Sequence, residues 1–157
     1  MKFKILITIL LIFILGACGN DHFEPAKINV NVDSCFTCSM GIQDEQASAQ
    51  TIDTDGTPNK FDDIGCMMTY FQENKDQIKI GYVHDHDTKE WIELDTAFFV
   101  QSSENVTPMS YGLIAFSSES AAKEWQEKNG GDLYSTDQLL QQDVKSFKKN
   151  MNESHHH

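Results

Sequence analysis

Cys35-Phe36-Thr37-Cys38-Ser39-Met40 sets two thiols and a thioether within one short segment. A Cys-x-x-Cys pair alone serves a redox dithiol, a metal pair or a structural disulfide. Met40, two residues after Cys38, shifts the balance: thiolate and thioether together are soft donors that select Cu(I), an ion satisfied by two or three sulfurs. In an extended chain, residues i and i+2 project to one side, so Cys38 and Met40 are expected to converge. Zinc fits less well, because a structural zinc site takes four ligands and the chain has a single Cys-x-x-Cys. A thioredoxin-like couple fits less well again, since no helix is predicted to start at Cys35 and depress its pKa.

Other donors lie further along the chain. Cys66-Met67-Met68 falls in the first turns of a predicted helix, where Cys and Met are expected to pack in the core. Met109, in Thr107-Pro108-Met109-Ser110-Tyr111-Gly112, stands in a loop-like stretch and is a candidate third donor from far along the sequence. His84 and His86 flank Asp85 at a strand end, a spacing that can hold a metal but more often marks a solvated surface. The terminal His155–His157 run binds divalent metals whatever its origin. No Gly-rich phosphate loop, nucleophile elbow or Ser-His-Asp arrangement is present, so nothing points to an enzyme.

The N-terminus sets the expected compartment. Lys2 and Lys4 precede an apolar stretch, residues 5–15, shorter than the roughly 17–25 residues that span a bilayer but suited to a secretory signal. It ends in Leu15-Gly16-Ala17-Cys18, which resembles a lipobox, the site at which bacterial lipoproteins are cleaved and acylated on the Cys. The expectation is a signal peptide over 1–17, lipidation of Cys18, a polar tether over 18–32, and a protein held at the cell membrane on its extracytoplasmic face. With Cys18 lipidated, Cys35, Cys38 and Cys66 remain. Three thiols cannot all pair within the chain.

Composition narrows the partners. The 157 residues carry 24 acidic and 12 basic side chains, every basic one a lysine, for a net charge of -12. Phosphate backbones are bound by basic surfaces, so nucleic acid is excluded as a partner. Hydrophobic content of 39% is enough for a packed core.

The elements that must position these residues repeat. Phe61-Asp62-Asp63 before one predicted helix aligns with Phe116-Ser117-Ser118 before another, and each helix carries an aromatic nine residues after that Phe (Tyr70, Trp125). Asp62 or Asp63, and Ser117 or Ser118, suit the N-caps, and Asn129-Gly130-Gly131 suits a stop. Strands are predicted over 47–53, 59–62 and 78–83 in the first unit, with Asp55-Gly56 as a hairpin turn, and over 91–101, 110–116 and 132–134 in the second. A final helix is predicted over 135–150, with Leu139, Leu140, Val144 and Phe147 on one face. The fold class is α+β: two ββαβ repeats, about 38–85 and 90–135, with mostly antiparallel sheets and a C-terminal helix.

Taken together, Cys35-Phe-Thr-Cys38-Ser-Met40, Phe61-Asp-Asp-Ile-Gly-Cys66-Met67, Tyr82-Val83 with Trp91, Pro108-Met109 before Gly112, and Ala115-Phe116 resemble the NosL-type copper lipoproteins. The resemblance covers about 33–140 and implies a NosL-like domain over 33–150, followed by a His-containing tail over 151–157. It implies two ββαβ units that bind Cu(I) outside the cytoplasm and deliver copper to nitrous oxide reductase or another exported copper enzyme, working with an ABC-type membrane complex. It places the family's Cys-x-Met on Cys38 and Met40 and its Pro-Met on Pro108 and Met109. Many members lack a Cys at position 35 and commonly have Gly at 39, so Cys35 is either an additional thiolate or half of a Cys35–Cys38 disulfide. The expected metal residues are Cys35, Cys38, Met40 and Met109. The alternatives from the residues alone are an extracytoplasmic thiol–disulfide oxidoreductase using Cys35 and Cys38, and a lipoprotein scaffold that holds no metal.

Overall fold

The structure is a computed structural model, and it describes residues 23–148. The signal peptide, Cys18 and the His155–His157 run lie outside the described residues. No helix among the described residues is long and apolar enough to cross a membrane.

Strand β1 (Ala49–Asp53) pairs antiparallel with β2 (Pro58–Phe61) across the turn at Gly56, where φ is +88°. Helix α1 (Ile64–Asn74) follows, and β3 (Ile78–His84) returns antiparallel to β1. β4 (Trp91–Glu93) then pairs with β3, giving one sheet in the order β2-β1-β3-β4. The second sheet has the order β6-β5-β7, all antiparallel, from β5 (Phe98–Gln101), β6 (Leu113–Phe116) and β7 (Asp132–Ser135). Helix α2 (Glu119–Asn129) lies between β6 and β7.

The continuous strand predicted over 91–101 is two strands. A 3-10 turn at Leu94–Thr96 breaks it, so β4 stays with the first sheet and β5 opens the second. The break is anchored from outside: Thr136 Oγ1 donates to the carbonyls of Leu94 and Ala97. Residues 110–112, predicted as strand, belong to a loop instead.

The final helix is also divided. α3 (Thr136–Leu139) opens on a capping box between Ser135 and Gln138, then a turn interrupts it before a second helical segment at 144–148. The interruption spaces Leu139 and Val144 five apart and still buries both with Phe147. Gln72 Nε2 donates to the Leu140 and Gln142 carbonyls at the break.

Both repeats share one core. Phe61, Met67, Met68, Val83, Leu94, Phe99, Leu113 and Leu139 are fully buried in a single cluster. Burial of a large apolar side chain contributes roughly 1.5–3 kcal/mol, so this cluster welds the two sheets. A bridge between Asp85 and Ala115 joins the sheets at their edge. There the buried Asp85 carboxylate accepts the Ser117 N–H at 2.7 Å and both the N–H and hydroxyl of Thr88. Burial raises its pKa, but these bonds win and hold it below the usual carboxylate range.

Candidate metal centre

Residues 34–41 form a tight hairpin rather than an extended run. Ser34 bridges Gly41, the Cys35 N–H donates to the Met40 carbonyl at 2.7 Å, and the Ser39 N–H donates to the Cys35 carbonyl at 2.8 Å. Ser39 closes the turn at φ +62°. The expected extended geometry at Cys38–Met40 is therefore incorrect, and the two side chains are set by a left-handed residue between them. The same φ explains why a Gly suits this position. Ser39→Gly removes the left-handed penalty of about 1–2 kcal/mol against a glycine entropy cost of about 0.5–1 kcal/mol. A gain of about 0.5–1 kcal/mol in a denaturant melt is expected, and a loss would show that the turn is held by the serine itself.

The hairpin is pinned to the first sheet. The Phe36 N–H donates to the Lys60 carbonyl at 2.8 Å. Lys60 Nζ pairs with Asp33 at 2.7 Å and also reaches the Lys27 carbonyl. The bond from Lys60 holds the Asp33 carboxyl low. Thr37 Oγ1 donates to the Cys66 carbonyl at 3.4 Å, which lays the hairpin across the start of α1.

This arrangement brings together four donors. The Sγ atoms of Cys35, Cys38 and Cys66 and a carboxylate oxygen of Asp62 all lie within 4.8 Å of one another, and the three cysteines are free thiols. Cys35, Cys66 and Asp62 are buried, while Cys38 is half-exposed and forms the mouth. Cys38 Sγ stands 3.6 and 3.7 Å from the two Asp62 oxygens.

Sequence reasoning missed two of these four. Cys66 is expected in the core from its place in the helix; it is indeed buried, yet its thiol faces Cys35. A side chain in the first turn of a helix leans back toward the N-terminus, which carries the Cys66 sulfur toward the hairpin. The odd cysteine count was the available signal. Cys66 and Asp62 also remove the objection to zinc, because three sulfurs and one oxygen make a four-donor set.

The thiols ionise unequally. Cys35 is pulled well below the ordinary thiol range, first by the hydrogen bond from Cys66 and then by the backbone N–H groups of Asp62 and Cys38, against its burial. Cys66 is pushed far up, first by donating to Cys35 and then by burial. Burial and the Cys35 charge push Cys38 up as well. Burial, followed by the bond and charge of Cys35, lifts Asp62 to about 6. Of the three thiols, Cys35 is thus the one its surroundings favour as a thiolate.

Met40 and Met109 stand beside this group. Met40 is 55% exposed and lines a cleft of about 290 Å³ with Asp44, Asp62 and Pro108. Met109 is half-buried against the core group that contains Cys35 and Cys66. Its loop is tied to the first repeat by Asp63, whose Oδ1 caps α1 through the Gly65 N–H at 2.7 Å and whose Oδ2 accepts the Met109 N–H at 3.0 Å. Burial raises the Asp63 pKa despite these bonds. Asn105 braces the loop from within, donating to the Val100 and Gly112 carbonyls.

His84 and His86 are not in the cluster. His84 is buried with its ring on Trp91 at 3.7 Å, and its Nδ1 meets the Lys89 carbonyl at 2.9 Å. His86 lies against Trp125 and Phe116. Among the described residues, Cys35, Cys38, Asp62 and Cys66 are the one group of three or more such donors close enough to share an ion.

The comparisons with known proteins agree with this architecture. The chain matches none of the curated proteins. Among solved structures it resembles the copper chaperone NosL from Shewanella denitrificans, with a TM-score of 0.64 and 23% identity over 74% of this chain and 96% of that one. That likeness establishes the fold: α+β, with two antiparallel sheets. The NosL family model matches residues 25–144. With the match spanning most of the sequence, the chain belongs to the NosL family.

Proposed function

We propose that this protein is a membrane-anchored, extracytoplasmic Cu(I) metallochaperone, lipidated at Cys18 and not an enzyme. One observation carries the proposal: three free thiols from two separate segments converge within 4.8 Å, with one of them half-exposed. A set of unlinked thiols that can ionise onto the ion is suited to a soft monovalent cargo. Cys35 and Cys66 form the floor, and Cys38 forms the mouth. Met40 and Met109 supply neutral sulfurs at the rim through which the ion enters and leaves. Such a graded site lets an acceptor replace the donors one at a time. The recipient is nitrous oxide reductase or another exported copper enzyme, reached with an ABC-type membrane complex.

The test is a competition titration of the reduced protein, with the His155–His157 run removed, against a Cu(I) chelator and then a zinc chelator. One tightly held Cu(I) and weak zinc are expected. The four-donor set supports a second reading, zinc held by three sulfurs and Asp62. Asp62→Asn separates the two: zinc affinity falls if the carboxylate is a ligand, whereas copper affinity changes little, because a hard oxygen adds little to a soft ion.

The unequal thiols give a pH dependence with a definite sign. Cys35 ionises most readily of the three, whereas copper on Cys38 and Cys66 must displace their protons. Binding releases protons, so affinity rises with pH, by about tenfold per pH unit for each proton released. The raised pKa values of Cys38 and Cys66 keep the rise going through the upper end of the neutral range. A flat affinity between mildly acidic and neutral pH would mean that copper displaces no thiol proton, so that Cys38 and Cys66 are not ligands.

A further inference from the structure

Among the described residues, the large hydrophobic side chains left exposed are Val32, Phe36, Met40 and Val106. Single exposed apolar residues need no explanation, but these four are not scattered. Phe36 and Met40 belong to the hairpin that carries Cys35 and Cys38, and Val32 stands in the turn just before it. Val106 is 97% exposed on the loop that carries Met109. The two loops meet, since Met40 and Pro108 line one cleft and Val106 lines the next, with Asp44 common to both.

The charge around them is mostly acidic, although Lys89 lines the Val106 cleft. Asp44, Glu45 and Glu104 stand on or beside these loops, and no lysine occurs between Lys27 and Lys60 or between Lys89 and Lys123. The nearest cations are occupied or set back. Lys60 is paired with Asp33, Lys89 Nζ donates to the His86 carbonyl, and Lys148 lies over the Tyr111 ring at the loop's base.

From the confinement of exposed apolar side chains to the two donor-bearing loops inside an acidic surround, we infer that these tips are the docking face for the copper acceptor. The acceptor presents an apolar patch ringed by lysine or arginine beside its own sulfur donors. This inference rests on the copper reading above and adds the partner's chemistry. An apolar centre inside a charged rim gives the encounter its speed through charge and its lifetime through desolvation. A second copy of this chain is a poor occupant, because its own loops are acidic. An anionic lipid surface is disfavoured for the same reason.

The experiment uses the full chain in detergent, loaded with Cu(I), and two synthetic acceptor peptides. Both peptides contain the same Cys-x-x-Cys beside leucine; one is flanked by lysines and the other by glutamates. Stopped-flow transfer to the lysine peptide should be at least about tenfold faster at low salt, and the advantage should shrink at high salt. Val106→Ser and Glu104→Lys should each slow that transfer severalfold while leaving extraction by a small chelator unchanged. Glu127→Lys, an equal charge change on α2, should leave transfer to the lysine peptide unaltered. Equal rates for the two peptides, or no effect of Val106→Ser, would overturn the docking face. Anisotropy of the labelled lysine peptide on metal-free protein keeps the test independent of copper. Binding weakened by Val106→Ser supports the face, even if the copper titration fails. No binding overturns it, as does a dimer in sedimentation that Val106→Ser disperses.

Discussion

Cys66→Ala is expected to lower Cu(I) affinity by on the order of 100-fold or more, a larger loss than Met40→Leu or Met109→Leu. The magnitude follows from what the residue does in the cluster. Partners that merely orient a ligand are worth 10–100-fold in metal affinity, so a thiolate donor is worth at least the upper end of that range. Cys66 also donates to Cys35, and its removal takes away the bond that keeps the Cys35 thiolate low. Met67 and Met68, its neighbours, are fully buried, and their conversion to Leu should leave copper affinity unchanged, at a cost below about 1.5 kcal/mol in stability. Competition against a Cu(I) chelator measures all five variants. If Cys66→Ala bound copper as the parent does, the ion would sit on Cys38, Met40 and Met109 with Cys35. The buried thiol would then be a packing residue, as its place in the sequence suggests.

That contrast shows where the sequence was legible. Both helix starts were readable, because Asp63 and Ser118 do cap α1 and α2 and stand at matching places after the buried Phe61 and Phe116. Local chemistry fixes a cap, so a local reading finds it. Leu94–Thr96 was not readable, since the anchor that breaks the strand there is Thr136, some forty residues on. The division of the last helix depends likewise on Gln72, which donates from the first repeat to the Leu140 and Gln142 carbonyls. At the candidate site, Cys35 and Cys38 announced themselves by spacing, whereas Cys66 and Asp62 join them only because Thr37 and Phe36 lay the hairpin over α1 and β2. Residues close in sequence are found by pattern, and donors brought by packing are not.

Gly65→Ala carries the largest expected effect on stability. A Cβ at residue 65 would stand 2.1 Å from Tyr111 Cγ and 2.4 and 2.5 Å from the ring's Cδ atoms. Ring carbons at that distance cannot yield as a flexible chain end would, so either the start of α1 or the Tyr111 loop must move. Overpacking a tight interior costs about 1–3 kcal/mol and sometimes more, and this contact belongs at the upper end. A fall in Tm of roughly 10 °C is expected for about 3 kcal/mol at this chain length. The damage should also reach the site, because Tyr111 lies two residues after Met109, whose N–H is held by Asp63 at the same helix start. Gly65→Ala should therefore weaken copper binding at least as much as Met109→Leu does, without touching a sulfur. Tyr111→Ala opens the space, so the alanine at 65 should cost much less in the double variant than alone. A coupling of more than about 1 kcal/mol between the two sites is the expected signature of direct contact. If Gly65→Ala melts as the parent does, the Tyr111 ring does not rest on α1, and the second repeat does not hold its methionine loop against the thiols.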